Sequence, residues 1–143
     1  MEKRRGADTQ NIGSGSVEEN TSVRPSFREA FRRAAHQTEL HLASDEERDA
    51  LRELCYLIAE IYVITDSSPV CIGREILDGA LVRDVFEELT IEHLRLVRGN
   101  FLKQSTVIRN KRAYLRTSLY HAVFELEAHY ENVASLAMKG EKK

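Results

Sequence analysis

Apolar residues recur along the chain at intervals of three and four, the period of a helix with one face turned inward, and almost nowhere at the interval of two that a half-buried strand requires. The clearest run is Leu51, Leu54, Cys55, Ile58, Ile61 and Tyr62. Ser44 and Glu47 precede it as a capping box and Ser67-Ser68-Pro69 follows it, so the pattern predicts a helix from Ser44 to about Asp66. Upstream, Ser26 and Glu29 form another box directly after Pro25, and Phe27, Phe31, Ala34, Thr38 and Leu42 follow helical spacing. Downstream, Asp78 is placed to cap a helix that turns Leu81, Val82, Val85, Phe86 and Leu89 inward, and Thr90 to cap the next, with Glu92 in its first turn. Gly99-Asn100 is expected to weaken that fourth helix or end it early, since an interior glycine costs about 1 kcal/mol relative to alanine. Asn110 is the expected cap of the last helix. Leu115, Leu119, Ala122, Leu126, Tyr130, Val133 and Ala137 run down one face of it, and Gly140 is its expected stop.

Two segments stand outside this pattern. Val70-Cys71-Ile72-Gly73-Arg74 is β-branched on either side of Cys71 and reads as an extended bridge or a single short strand with no evident partner. Residues 1–25 carry too few apolar side chains to offset the entropy of ordering them and read as a disordered tail or linker. The pattern thus predicts an all-α domain over residues 26–140, a compact bundle of four to five helices, with one short extended segment near residues 70–74.

The length of 143 residues fits one domain, and at this size folding buries roughly two-thirds of the surface that the unfolded chain exposes. Cys55 and Cys71 make neither a disulfide framework nor a paired metal-ligand spacing, so reduced thiols and a cytoplasmic location are expected. No apolar run approaches the roughly 20 residues of a membrane helix. The net charge of -2 conceals an uneven distribution. Between His93 and Phe124 lie seven basic residues and no acid; taking those seven from the 21 Lys and Arg leaves 14 against 23 acids, a charge of -9 on the remainder. One end of the domain is basic and the rest acidic.

No phosphate-binding glycine loop, His-Glu-x-x-His or Gly-x-Ser-x-Gly occurs, so the reading is non-enzymatic and without a cofactor. His121, Glu125 and His129 fall at steps of four on one helix face, a donor set that zinc accepts, but His93 is the one obvious ligand from another element. Surface pairing of His with Glu accounts for the same spacing, and no metal is expected. The basic block carries more weight. Arg112, Arg116, Tyr120 and Phe124 form a ridge beside the face that buries Leu115 and Leu119, and Arg109 and Lys111 stand at its N-terminal end, where free backbone N–H groups favour an anion. The ridge fits a single-stranded nucleic acid, a protein partner, or a solvated face that answers the acids of DEERDALRE and RDVFEE. Tyr114 reads as core or half-buried, and Tyr120 as the better contact residue.

The stretch IRNKRAYLRTSLYHA also resembles the signature of the C-terminal domain of plasmid and conjugative-element replication initiators of the RepA_N type, through Ile108, Asn110, Tyr114, Leu115, Leu119, Tyr120 and Ala122. The similarity extends through ALVRDVFEELTIEHLRLV upstream and HYENV downstream, over residues 49–138. It implies a helical module similar to the C-terminal domain of the DnaD primosome protein. Such a module is expected to contact host replication proteins and to bind DNA weakly without sequence preference. The contact residues it implies are Arg109, Lys111, Arg112, Tyr114 and Arg116, to which the ridge adds Tyr120. His121 and His129 depart from the Asn and Tyr usual in that pattern. No winged helix precedes the domain here, so origin recognition is not expected of it. The reading from a different class is a structural or regulatory domain that self-associates through apolar helix faces and does not bind nucleic acid.

Overall fold

Ser26 opens the first helix as its pattern predicts. Its hydroxyl accepts from the Glu29 N–H at 3.1 Å while the Glu29 carboxylate accepts from the Ser26 N–H at 3.0 Å, which satisfies two backbone donors at the terminus. The structure, a computed structural model, describes residues 26–141, with side chains through residue 138; the tail read at residues 1–25 lies outside the described residues. The elements in order are α1 (Phe27–Gln37), a 3-10 turn (Leu40–Leu42), α2 (Arg48–Val63), β1 (Pro69–Ile72), β2 (Glu75–Asp78), α3 (Gly79–Phe86), α4 (Ile91–Leu102) and α5 (Lys111–Glu141). The described chain is a mostly helical body of five helices with one small two-stranded sheet.

Helix α2 is the centre of the body because it is apolar on more than one face. Leu51, Leu54, Cys55, Leu57, Ile58, Ala59, Ile61 and Tyr62 are all buried, and α1, α3, α4 and α5 pack around them. Phe86 and Leu89 from the end of α3, Leu94 and Val97 from α4, and Leu115, Leu119 and Ala122 from α5 close the core. A fully buried side chain such as Phe86 contributes about 2–3 kcal/mol through the water it sheds.

Helix termini inside the body are satisfied by side chains from neighbouring helices. Gln37 of α1 donates through Nε2 to the carbonyls of Phe86 and Leu89, both at 2.9 Å, so it caps the end of α3. The Tyr62 hydroxyl donates to Gln37 Oε1 and orients that amide. Burial pushes the Tyr62 phenol up to about 12, against the opposing field of Arg33. Arg83 of α3 does the same service for α2, donating to the carbonyls of Ile61 and Ile64 while pairing with Asp66 at 2.6 Å. Gly79 starts α3 so close to the preceding loop that a Cβ there would stand 2.5 Å from the Thr65 carbonyl oxygen.

Several expectations from the pattern are corrected. Helix α2 starts at Arg48 rather than Ser44 and ends at Val63 rather than Asp66. Only half of the predicted box forms: Glu47 accepts from the Ser44 N–H at 2.9 Å, and the same carboxylate is drawn to Arg95 of α4 at 2.9 and 3.2 Å. The Arg95 hydrogen bond first, and the Ser44 N–H second, hold the Glu47 carboxyl below its ordinary value. The segment at 70–74 is not a lone strand. It is the first arm of an antiparallel hairpin that pairs Pro69 with Asp78 and Ile72 with Glu75. Gly73, at φ +64°, takes the first turn position, where a tight hairpin favours glycine, and its N–H donates to the Thr117 hydroxyl of α5 at 2.9 Å. Leu81 is exposed rather than inward. Gly99 and Asn100 do not interrupt α4, which runs to Leu102, and α5 continues through Gly140 to Glu141.

Candidate functional site

Helix α5 is 31 residues long, and the body covers only its beginning. Asn110 caps it as expected, its side-chain oxygen accepting from the Ala113 N–H at 3.0 Å. The basic ridge then faces α2, whose Glu53 and Glu60 lie across from it. Lys111 Nζ stands 3.2 Å from Glu53, Arg112 is hydrogen-bonded to Glu60, and Arg116 lies 3.8 Å from the other oxygen of Glu60. Lys111 also sits over the Phe101 ring at 5.2 Å. Of the four cations, Arg109 alone makes no ion pair among the described residues, and it is exposed. Four positive charges therefore meet two negative ones, and a modest positive surplus remains at the start of α5.

The two tyrosines occupy different settings. Tyr114 is half-buried, with its ring 6.1 Å from that of Phe101. Tyr120 is also half-buried and packs on Phe124 at 5.6 Å and edge-on to His121 at 5.8 Å, so it continues the ridge only in part. His121, Glu125 and His129 are all exposed on α5, and His129 lies against the Tyr130 ring. His93 is in another place altogether, buried at the start of α4, where its Nδ1 accepts from the Thr90 N–H at 2.9 Å and satisfies a backbone donor at the helix start.

Past Leu126 the helix leaves the body. Leu115, Leu119 and Ala122 are buried and Leu126 is half-buried, yet the same stripe continues as Tyr130, Val133 and Ala137 in the open. Tyr130 is 53% exposed, Val133 49%, Leu136 59% and Met138 59%. Of these, Tyr130 and Val133, with Ala137, were read from the sequence as running down the buried face. The helical period was right, but the body ends before the stripe does.

At the base of this arm lies a groove of about 470 Å³, floored by Ile91, Val123 and Leu126 and rimmed by Glu88, Glu92 and Glu127. Glu39, in left-handed backbone at φ 55° where α1 gives way to the 3-10 turn, adds a further carboxylate to the rim. The Tyr130 hydroxyl donates to Glu92 and latches the arm to α4; that bond holds the phenol above its ordinary pKa. No signal in the linear pattern separated this groove from the rest of the acidic surface, because its rim is drawn from three separate segments.

A family model described as a family of unknown function (DUF6017) matches residues 6–140. The chain belongs to that family. No curated protein and no solved structure matches this DUF6017 chain. Among the described residues of the DUF6017 fold, no helix is long and apolar enough to cross a membrane.

Proposed function

We propose that the chain is a non-enzymatic, cytoplasmic protein-interaction module that meets its partner through the projecting half of α5. The observation that carries this reading is the apolar stripe from Tyr130 to Ala137, which continues the buried seam of the helix into solvent. Apolar surface of that kind gains only by being covered, and a rod with anchors at three- and four-residue spacing suits a helical partner surface. The resemblance to replication initiators supplies the context: the host replication machinery is the class of partner it implies. Testing uses a photo-crosslinking amino acid at position 133, compared in cells with one at Ser105, which is exposed on the α4–α5 loop. Protein adducts are expected at 133 in excess of 105, and equal yields at the two positions would refute the reading.

A second reading keeps a specific observation in its favour. Arg109 makes no ion pair among the described residues, and the side chains of Lys111 and Arg112 are about half exposed, at 49% and 56%. Phosphate can compete for cations held that loosely, so weak, sequence-independent DNA binding at the start of α5 is the subsidiary proposal. It predicts binding that salt removes, without any preference among sequences.

A further inference from the structure

We infer that the groove at the base of the arm is a docking site for a basic peptide segment of another protein, one that carries lysine or arginine on either side of an aliphatic side chain. The inference goes beyond the reading of the arm and does not rest on it, since Val133 and Leu136 lie outside the groove. Elsewhere in the body, glutamates at helix contacts are answered by a cation: Glu47 by Arg95, Glu53 by Lys111, Glu60 by Arg112 and Glu87 by Arg33. Glu39, Glu88, Glu92 and Glu127 instead converge on one groove from three segments, and none of them has an ion-pair partner among the described residues. Glu92 accepts from the Tyr130 hydroxyl, a neutral donor, and keeps its charge.

The sign of the field selects the occupant. Like charges gathered over an apolar floor repel one another, and a cation between them relieves that repulsion. The N-terminus of α4 opens onto the same groove and contributes about half a positive charge, too little to cancel four carboxylates. Anions are therefore rejected, and lysine or arginine is favoured. The floor of Ile91, Val123 and Leu126 asks in addition for an apolar group between the charges, which a bare metal ion does not bring. Among the described residues, no cluster of acids and histidines is arranged to hold a metal. At about 470 Å³ the groove is in the size range of clefts that enclose a ligand.

His93 narrows the choice to a polypeptide. It lines the groove, is only 8% exposed, and accepts from the Thr90 N–H through Nδ1 at 2.9 Å. Burial holds the ring below its ordinary pKa, so near neutral pH it is uncharged and carries its proton on Nε2. That N–H has no acceptor among the described residues, and a buried donor left unpaired is costly. In a groove whose field rejects anions, the acceptor that fits is a neutral carbonyl, which every residue of a peptide backbone provides. A basic segment lying along the groove gives a carbonyl to His93, its cations to the carboxylates and an aliphatic side chain to the floor. One short peptide makes all three contacts at once.

Fluorescence anisotropy on the full chain provides the test, with a labelled peptide of about ten residues in which leucines are flanked by lysines and arginines. Control peptides replace either every leucine with serine or every cation with glutamine. The parent peptide is expected to bind, and each control to bind at least about tenfold more weakly. Glu88→Gln with Glu127→Gln should weaken the parent about tenfold, whereas Glu46→Gln with Glu75→Gln, exposed acids outside the groove, should leave it within about twofold. All four of these glutamates are exposed, so thermal unfolding should not move. Val133→Asp should leave binding unchanged, which separates the groove from the arm. No binding at about 1 mM chain overturns the inference. So does equal loss from the two glutamate pairs, which marks attraction to net charge alone, or a control peptide that binds as tightly as the parent. A chain that dimerises in light scattering and is split by the parent peptide makes a second copy the occupant and overturns it too. Peptide binding without protein adducts from the crosslinker at position 133 sinks the reading of the arm and leaves the groove standing.

Discussion

Glu53 and Glu60 hold the basic ridge of α5 in check, and removing their charges should turn the domain into a salt-sensitive DNA binder. Arg109, Lys111, Arg112 and Arg116 supply four positive charges, and the two glutamates within 4 Å of three of them reduce the local surplus to two. Each phosphate neutralised on duplex DNA adds about -0.9 to the log-log salt slope, so the native ridge should show a slope near -2 and Glu53→Gln with Glu60→Gln a slope near -3.6. Raising salt from about 50 to about 200 mM should then weaken the native chain roughly 12-fold and the double variant roughly 150-fold, with the variant binding more tightly at the lower salt. The cost in folding stability should be small, at most about 1 kcal/mol per pair, because these ion pairs are a third to a half exposed and water screens them. Fluorescence anisotropy on a short labelled duplex across four salt concentrations measures the slope, and thermal unfolding checks the fold. A native slope already between -3 and -4 would refute the reasoning, since the glutamates would then not be restraining the cations. Equal slopes for the two proteins would refute it as well.

Three further outcomes test the body. Tyr62→Phe removes the donor that orients Gln37 and should destabilise the domain by about 1–3 kcal/mol in urea unfolding, with loss of the phenol that titrates only near pH 12. Gly79→Ala places a Cβ against the Thr65 carbonyl and the Ile64 side chain and should cost about 1–3 kcal/mol in the same assay, since backbone rather than a flexible side chain must yield. His93 is held neutral by burial, with Glu92 and Glu88 opposing, so its folded pKa lies below the unfolded one. Its contribution is full above the unfolded value and is lost as pH falls through the folded one, and unfolding followed between about pH 7 and pH 5 should be less acid-sensitive in His93→Gln.

Helix existence and the core were legible because both rest on local period. Leu51, Leu54, Cys55 and Ile58, or Leu115 and Leu119, repeat at three and four whatever surrounds them, and all are buried. What the pattern lacked was tertiary. Ser44 and Glu47 make a good capping box by spacing, but the Glu47 N–H donates to the Ser44 carbonyl in a turn rather than to its hydroxyl, while Arg95, 48 residues away, shares the carboxylate that the Ser44 N–H reaches. The hairpin was half seen because β2, Glu75–Asp78, is largely exposed and alternates too weakly to announce itself beside β1. At the candidate site the cations were legible by type and position, and Glu53 closes the stretch DEERDALRE whose acids the ridge was read as able to answer, whereas Glu60 looked like an ordinary solvated residue of a helix far off in sequence. Gln37 and Arg83, which cap helices they do not belong to, carry no local signature.

The two halves of α5 differ in what they can settle for, and that difference ranks the readings. An arginine near Glu60 has an acceptor and keeps partial contact with water; exchanging carboxylate for phosphate trades one charge-assisted bond for another, with a net gain set by salt. The distal stripe has no such alternative. Water offers nothing to Val133 or Leu136, and each apolar Å² covered there gains about 25 cal/mol at any ionic strength. A partner that brings apolar side chains therefore finds a steeper reward on the arm than a polyanion finds on the ridge. High salt distinguishes the two on one molecule: contact through the arm should survive or strengthen at about 0.5 M salt, while contact through the ridge should vanish. A complex that dissolves as salt rises, with Tyr130 and Val133 intact, would place the working surface at the beginning of α5 and not at its end.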